Sequence, residues 1–300
     1  MPSWRDLRVE AERSLTAAGV DSAASEARWM VEHVSGFDAA ELVTAEDEPA
    51  PSRSAVHLSE LVERRVAGEP LQYVLGSWLF RGLDLLVDRR VLIPRLETEV
   101  TAQVAIDEAV RLGARRGRSD PWSGAATTYS IADLGIGSGA LALALASELP
   151  EAEVWGTDVS DDALAVARAN LAGTGLPSTR VRLACGSWFD ALPVSLRGRL
   201  RLVVSNPPYV AEAELADLPA ELHHEPRAAL VSGATGMESI EELAREAPAW
   251  LDATGTFVCE ITPHQAEDAI KVSNAAGFEE VLVRRDLAGR DRVLIARMLG

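Results

Sequence analysis

The 300-residue chain is poor in the features that mark secreted, metal-holding, membrane-spanning or polyanion-binding proteins. Its two cysteines, Cys185 and Cys259, lie far apart, each inside an apparent strand. They make no disulfide framework and no thiolate ligand spacing, so a reducing cytoplasm is the expected setting. No apolar run approaches the ~20 residues that span a bilayer. The segment Met1-Pro2-Ser3-Trp4-Arg5-Asp6 lacks the basic-then-apolar pattern of a signal peptide. Five histidines are scattered apart from the pair in His223-His224-Glu225. Adjacent side chains point different ways and no other ligand set is in register, so no metal is expected. Positive charge is also short: 29 Lys and Arg stand against 46 Asp and Glu, the net charge is -17, and Lys271 is the sole lysine. Nucleic-acid affinity comes largely from cations that neutralise phosphates, so a broad phosphate-binding surface is excluded, though not a local groove.

What is present is an ordinary globular mixture, 47% hydrophobic and 25% charged, long enough for two domains or one large one. Residues 1–70 read as short helices with short links. Leu7, Ala11 and Leu15 recur at helical spacing before Gly19, then Ala27, Met30, Val31 and Val34 before Gly36. A shorter segment holds Ala39 and Leu42, and a further helix carries Val56, Leu61, Val62 and Val66 up to Gly68. This predicts a small bundle. From Gln72 the pattern alternates around glycines, through Tyr73-Val74-Leu75-Gly76 and Phe80 to Val87, which predicts a β-hairpin linker over 71–92. A helix through Val100, Val104, Ala109 and Leu112 follows, and residues 113–129, rich in Gly, Arg, Ser and Thr, read as a mobile loop. Beyond Ser130, seven strand candidates interleave with helices at 140–149, 160–171, 239–250 and 264–276, the pattern of a doubly wound α/β sheet. The last two candidates, 279–283 and 292–296, are separated by too little chain for a crossover helix and are predicted antiparallel.

Four motifs follow the first four of these strands in order. Asp133-Leu134-Gly135-Ile136-Gly137-Ser138-Gly139 is a strand-to-helix glycine turn spaced G-x-G-x-G. A dinucleotide site requires G-x-G-x-x-G. Asp158 ends the second strand, positioned either to accept from a ribose diol or to cap the next helix. Trp188 follows the third, where an indole lies against an adenine ring or joins the core with Phe189. Ser205-Asn206-Pro207-Pro208-Tyr209 leaves the fourth. The prolines remove two backbone donors, and Asn206 adds an amide oxygen, so the loop is rich in acceptors. Such a loop holds both hydrogens of a planar –NH2 group while Tyr209 covers its flat face. That suits methylation of a glutamine amide or of an adenine amino group alike. All four motifs lie at strand carboxyl ends, where an open α/β sheet forms its ligand crevice.

Taken together, these residues resemble the S-adenosylmethionine-dependent methyltransferases, and most closely the HemK/PrmC family, protein-(glutamine-N5) methyltransferases that modify peptide-chain release factors. The likeness covers nearly the whole chain, including Val91-Leu92-Ile93-Pro94-Arg95, Glu97-Thr98-Glu99, Glu225-Pro226-Arg227-Ala228-Ala229-Leu230 and Asp286-Leu287-Ala288-Gly289-Arg290-Asp291-Arg292. It implies an α/β fold, a seven-stranded Rossmann-like methyltransferase sheet with its last strand antiparallel, plus a small N-terminal helical bundle domain. The implied divisions are a substrate-docking domain over 1–70, the hairpin linker over 71–92 and the methyltransferase domain over 93–300. By resemblance, Gly135, Ile136, Gly137, Ser138, Gly139, Asp158, Trp188 and Asn206 bind S-adenosyl-L-methionine. Asn206, Pro207, Pro208 and Tyr209 bind the substrate glutamine and carry catalysis. The implied partner is a class 1 peptide-chain release factor, met by a monomer in the cytoplasm, with no membrane or nucleic acid involved. Four places depart from the family pattern: Leu96 for a second proline, Ile136 for a threonine, Ser232–Gly236 for a Gly-Gly-x-Asp-Gly segment, and Thr262 for a glycine. They leave room for a paralogue with another protein substrate.

Overall fold

A computed structural model describes residues 1–115 and 128–300. Two compact units emerge: one comprises Met1–Ser77 with Pro219–His224, the other Trp78–Leu218 with Glu225–Gly300.

The first unit is helical: α1 (Trp4–Ala17), α2 (Ala23–Ser35), α3 (Ala39–Ala45), α4 (Ser52–Val66) and α5 (Leu71–Leu75). Local chemistry sets the ends. Ser3 and Asp6 form a reciprocal capping box at α1, and Asp38 and Glu41 repeat it at α3. Leu15, Ala27, Met30, Val31, Leu58 and Leu61 make the core. Val56 and Val66, grouped with that core by sequence spacing, are exposed. The face of α4 that turns inward carries Leu58, Leu61, Val62 and Arg65. Arg65 is buried but paired: its guanidinium donates to Glu26 (2.7 Å) and to Glu221 (2.5 Å). The second bond fastens the 3-10 turn Ala220–His224 to this unit. The predicted strand at Tyr73–Gly76 is instead the single helical turn α5. Pro70 leads into it, and Gly76, left-handed at φ 76, closes it by donating to the Gln72 carbonyl. A four-residue apolar run does not distinguish the two conformations. The structural hairpin is therefore shorter than 71–92, and the first unit runs to Ser77.

The second unit begins within β1 (Ser77–Phe80), which Arg81 and Gly82, both at positive φ, join to β2 (Leu83–Leu86). This is the twist-matched two-residue hairpin turn. α6 (Leu96–Arg115) follows, so 113–115 continue a helix, and Tyr129 already lies in a strand; residues 116–127 of the predicted loop fall outside the described residues. Then come β3 (Tyr129–Leu134), α7 (Ala140–Glu148), β4 (Ala152–Asp158), α8 (Asp161–Thr174), β5 (Val181–Cys185), β6 (Leu200–Ser205), α9 (Arg227–Leu230), α10 (Glu238–Trp250), β7 (Leu251–Glu260), α11 (Ala266–Ala275), β8 (Glu280–Arg285) and β9 (Asp291–Arg297). β3 to β9 form a seven-stranded sheet in the order β5-β4-β3-β6-β7-β9-β8. All neighbours are parallel except those of β9, which runs antiparallel to both β7 and β8. The predicted antiparallel last strand is thus present, inserted one place in from the edge.

α7 explains its own position. Ala140–Ala146 are all buried, and only the last residues, Ser147 and Glu148, reach solvent. β6 is buried along its whole length, and its one cation, Arg201, lies over the Tyr129 ring at 3.8 Å. Strand order reverses between β3 and β6, which opens a crevice beyond their carboxyl ends.

Candidate functional site

A cavity of about 250 Å³ occupies that crevice, within the second unit. Its wall includes Gly135, Ile136, Gly137, Ser138, Asp158, Trp188, Asn206 and Pro208, which brings together most of the residues singled out from the sequence. The side chain that ties its two halves is Ser205, whose hydroxyl donates to the Leu134 carbonyl at 2.6 Å. This pins the end of β6 to the end of β3, so Asn206 is held opposite the glycine turn.

The turn itself needs glycine at Gly135 and Gly137, with φ of 79 and 53. A Cβ on Gly135 would also meet the Trp188 ring at 3.1 Å. Trp188 has a left-handed backbone, φ 39, a conformation that costs a bulky residue about 1–2 kcal/mol. Strain of this kind persists where the surroundings over-determine it. Ile136 fits because Gly156 in β4 leaves a slot: a Cβ there would lie 2.1 Å from Ile136 Cδ1. Gly139 is off the wall. It precedes α7 at φ 90 and packs against Leu143 and Ala167. Asn170 of α8 braces the turn by donating to the Ser138 carbonyl at 2.8 Å.

Asp158 accepts from the Gly137 N–H (3.0 Å) and from the Ser160 N–H (2.9 Å). Ser160, not Asp158, caps α8 through the Ala163 N–H. The capping alternative for Asp158 is therefore wrong in detail, and the carboxylate remains on the cavity wall.

Asp133 carried no role in the sequence reading beyond opening the glycine motif. It is buried in β3, and one carboxyl oxygen accepts from the Ala142 N–H in the first turn of α7 (2.9 Å). The other oxygen, Oδ1, has no hydrogen-bond partner among the described residues and borders the cavity. Burial, with Asp158 nearby, pushes this carboxyl up to about 7. An acidic residue set in the apolar run Ile131-Ala132-Asp133-Leu134 was the signal that could have found it.

Asn206 shows the same signature. Its Nδ2 donates to Thr98 Oγ1 at 3.1 Å, while Oδ1 is buried without a partner among the described residues. A buried unpaired amide oxygen costs about 1–3 kcal/mol unless a ligand satisfies it. Pro208 lines the cavity, but Pro207 and Tyr209 do not. The Tyr209 carbonyl faces away and accepts from Gln265 Nε2 (3.1 Å), which also donates to the Gly236 carbonyl (2.9 Å). Gln265 Oε1 in turn accepts from the Thr262 N–H. The two departures at Ser232–Gly236 and Thr262 thus belong to one buried clamp beneath the loop. The opposite wall, Val91 to Thr98, is held by the buried Glu225, which accepts from the Ile93 N–H and from Arg95.

Two orphaned acceptors thus face one cavity. Asp133 Oδ1 suits a cationic amine, and Asn206 Oδ1 suits an amide or amino N–H. Among the described residues no cluster of His, Cys, Asp or Glu could hold a metal ion, and no helix is long and apolar enough to cross a membrane.

The chain is similar to known proteins along nearly all of its length. The model of the PrmC N-terminal domain matches residues 6–76, and that of the methyltransferase small domain matches 123–236. A protein of Deinococcus radiodurans named release factor glutamine methyltransferase is 37% identical over 99% of both chains. One of the same name from Bordetella pertussis is 38% identical over 89% of this chain and 92% of its own. Among solved structures, the catalytic domain of hMettl16 in complex with the MAT2A 3'UTR hairpin 6 aligns with a TM-score of 0.54, covering 82% of each chain. At 13% identity that likeness speaks for the fold alone.

Proposed function

Because the chain belongs to the family of release factor glutamine methyltransferases, we propose that it transfers a methyl group to the side-chain nitrogen of a release-factor glutamine, with the Asn206 loop as the substrate site. The methyl donor is S-adenosylmethionine, and the orphaned acceptors fit it and its partner. Asp133 Oδ1 takes the donor's α-ammonium, Gly135–Ser138 border its methionine part, Asp158 accepts from the ribose, and Trp188 stacks on the adenine. Gly139 supports this set by shaping the entry to α7. The observation that carries the reading is the buried, unpartnered Asn206 Oδ1.

Bound S-adenosylmethionine supplies an electrophilic methyl group on sulfur. The chain's task is to present a poor nucleophile, since an amide nitrogen shares its lone pair with its carbonyl. Asn206 Oδ1 accepts one N–H of the glutamine –NH2, and the Pro207 carbonyl accepts the other. This turns the nitrogen toward the methyl–sulfur bond, which is catalysis by positioning. The same two oxygens face the positive charge that grows on nitrogen as the N–C bond forms and the C–S bond breaks, an electrostatic term that strengthens in a dry site. The nitrogen then loses one proton to water. Pro208, on the cavity wall, offers the face against which the amide plane rests, and Tyr209 supports the loop behind it.

The partner we infer is a class 1 release factor presenting Gly-Gly-Gln, met in the cytoplasm by a monomer whose helical unit serves docking. Incubation with labelled cofactor and a purified release factor, followed by peptide mass mapping, is expected to place one methyl group on that glutamine. Asn206→Ala is expected to abolish transfer while cofactor affinity, read by calorimetry, stays within a few-fold. Full activity in that variant would remove Asn206 from the site.

A further inference from the structure

The amide of Asn206 has two ends of nearly equal size and opposite hydrogen-bonding sense. Rotated by half a turn it fills the same space but presents a donor where the substrate brings a donor. Something must fix which end faces the cavity. In the structure, Nδ2 lies on Thr98 Oγ1 at 3.1 Å. A hydroxyl that accepts there must send its own hydrogen elsewhere. The Thr98 hydroxyl also acts on the carboxylate of Glu260, at the end of β7, favouring its ionised form. Thr101 Oγ1, one helical turn along α6, donates to the same carboxylate at 2.9 Å. Glu260 is 1% exposed, and Thr98 and Thr101 are both buried.

Resting on the assignment of Asn206 as the substrate's acceptor, we propose that Glu260 and Thr98 are positioning residues. The ionised carboxylate draws the Thr98 hydrogen toward itself, which makes Thr98 Oγ1 an acceptor for Asn206 Nδ2 and so keeps Oδ1 facing the substrate nitrogen. The direction of every bond in this chain is set by one charge. Protonated Glu260 is itself a donor and frees the Thr98 hydrogen to point at Asn206, which favours the flipped amide. Charged groups around Glu260 oppose one another: Arg292 of β9 favours the carboxylate and Glu97 of α6 disfavours it. Cys259 on the same strand is buried, and burial keeps its thiol un-ionised. Tyr209, in the substrate loop, feels the Glu260 charge and is likewise raised by burial. Burial outweighs the hydrogen bonds, leaving Glu260 at about 7, so its charge changes within the working range of pH.

The test uses the full-length enzyme with a release factor, both substrates saturating, from about pH 5.5 to 8.5. Wild-type kcat is expected to rise through pH about 7. Saturating cofactor separates this from Asp133, whose titration reports in cofactor affinity instead. Thr98→Val should lower kcat by about tenfold or more, the cost of a misaligned nucleophile, with cofactor affinity within about twofold. Thr98→Ser, which restores the hydroxyl, should recover most of the rate. Glu260→Gln cannot ionise and should lose the inflection. Thr98→Val with wild-type kcat, Thr98→Ser no better than Thr98→Val, or an unchanged inflection in Glu260→Gln each overturns the proposal. Should Thr98→Val fold poorly, Thr98→Ser and Glu260→Gln still decide. The failure of the parent assignment looks different: Asn206→Ala would then be active.

Discussion

Asp133 and Asn206 illustrate how a single side chain stores a binding preference. Each is folded into a place that leaves one oxygen unpaired, a cost that a ligand can reverse. For Asp133 the consequence is a pH dependence of known sign. Its carboxyl titrates near 4 when unfolded and at about 7 in the fold. The folded state therefore holds the proton more tightly. The contribution to stability is full below about pH 4 and is lost as pH rises through about 7, a change of roughly 4 kcal/mol in all. Urea denaturation of the cofactor-free protein at pH 5 and pH 8 should show a drop that is smaller in Asp133→Asn by roughly 3 kcal/mol. The ammonium-bearing cofactor prefers the ionised form, so its affinity should tighten as pH rises through 7. Asp133→Asn should flatten that profile and weaken binding on the order of tenfold or more, because it removes a charge-assisted bond. Equal slopes for both proteins would assign the group another role.

Among elements, the strands of the sheet were legible because continuous apolar runs such as Leu202-Val203-Val204 bury both faces, and the glycine turn was legible because φ > 0 demands a residue type. The supports of the site were not. Thr98 meets Asn206 across 108 positions, Thr101 meets Glu260 across 159, and Glu225 meets Ile93 across 132. No periodicity reports a pairing at that distance, and buried polar residues in apolar runs look like interruptions. Tyr73–Leu75 failed for the opposite reason: the local pattern was too short to choose. The substrate loop offers a test of the clamp beneath it. A Cβ on Gly236, at φ 82, would stand 2.5 Å from the Tyr209 carbonyl oxygen and 3.2 Å from the Ala211 nitrogen. These are backbone atoms that cannot rotate aside. Gly236→Ala should lower kcat by about tenfold or more through a displaced loop while cofactor affinity, measured by calorimetry, holds within about twofold. An unaltered kcat would mean the loop does not depend on its clamp.

For the molecule as a whole, the charge balance separates two chemistries that the Asn-Pro-Pro-Tyr loop alone does not. An adenine amino group and a glutamine amide present the same two hydrogens. A net charge of -17 repels a polyphosphate and leaves steering to partners of the opposite sign. The hMettl16 domain shares the fold, but a shared fold leaves the target of methylation undetermined. Filter binding at about 50 mM salt should show no retention of duplex DNA or hairpin RNA, and labelled cofactor should yield no methylated adenine. Tight, salt-sensitive retention would reopen the nucleobase reading.

The Arg65 pair with Glu221 has a further consequence. Pro219–His224 belongs to the helical unit although it is encoded far downstream, so the polypeptide enters that unit twice. The joint at Ser77–Trp78 is then not the only link: a piece ending at Ser77 still holds Pro219–His224 of the other through contacts such as Arg65 with Glu221. A protease that nicks there should release nothing: gel filtration should return both pieces in one peak, and only denaturant should part them. Expressing residues 78–300 alone would leave Glu221 without its buried arginine and strand a short insert evolved to sit on a missing host. The division between the two units is a matter of packing, not a cut site, and supplying 1–77 in trans should rescue what truncation removes.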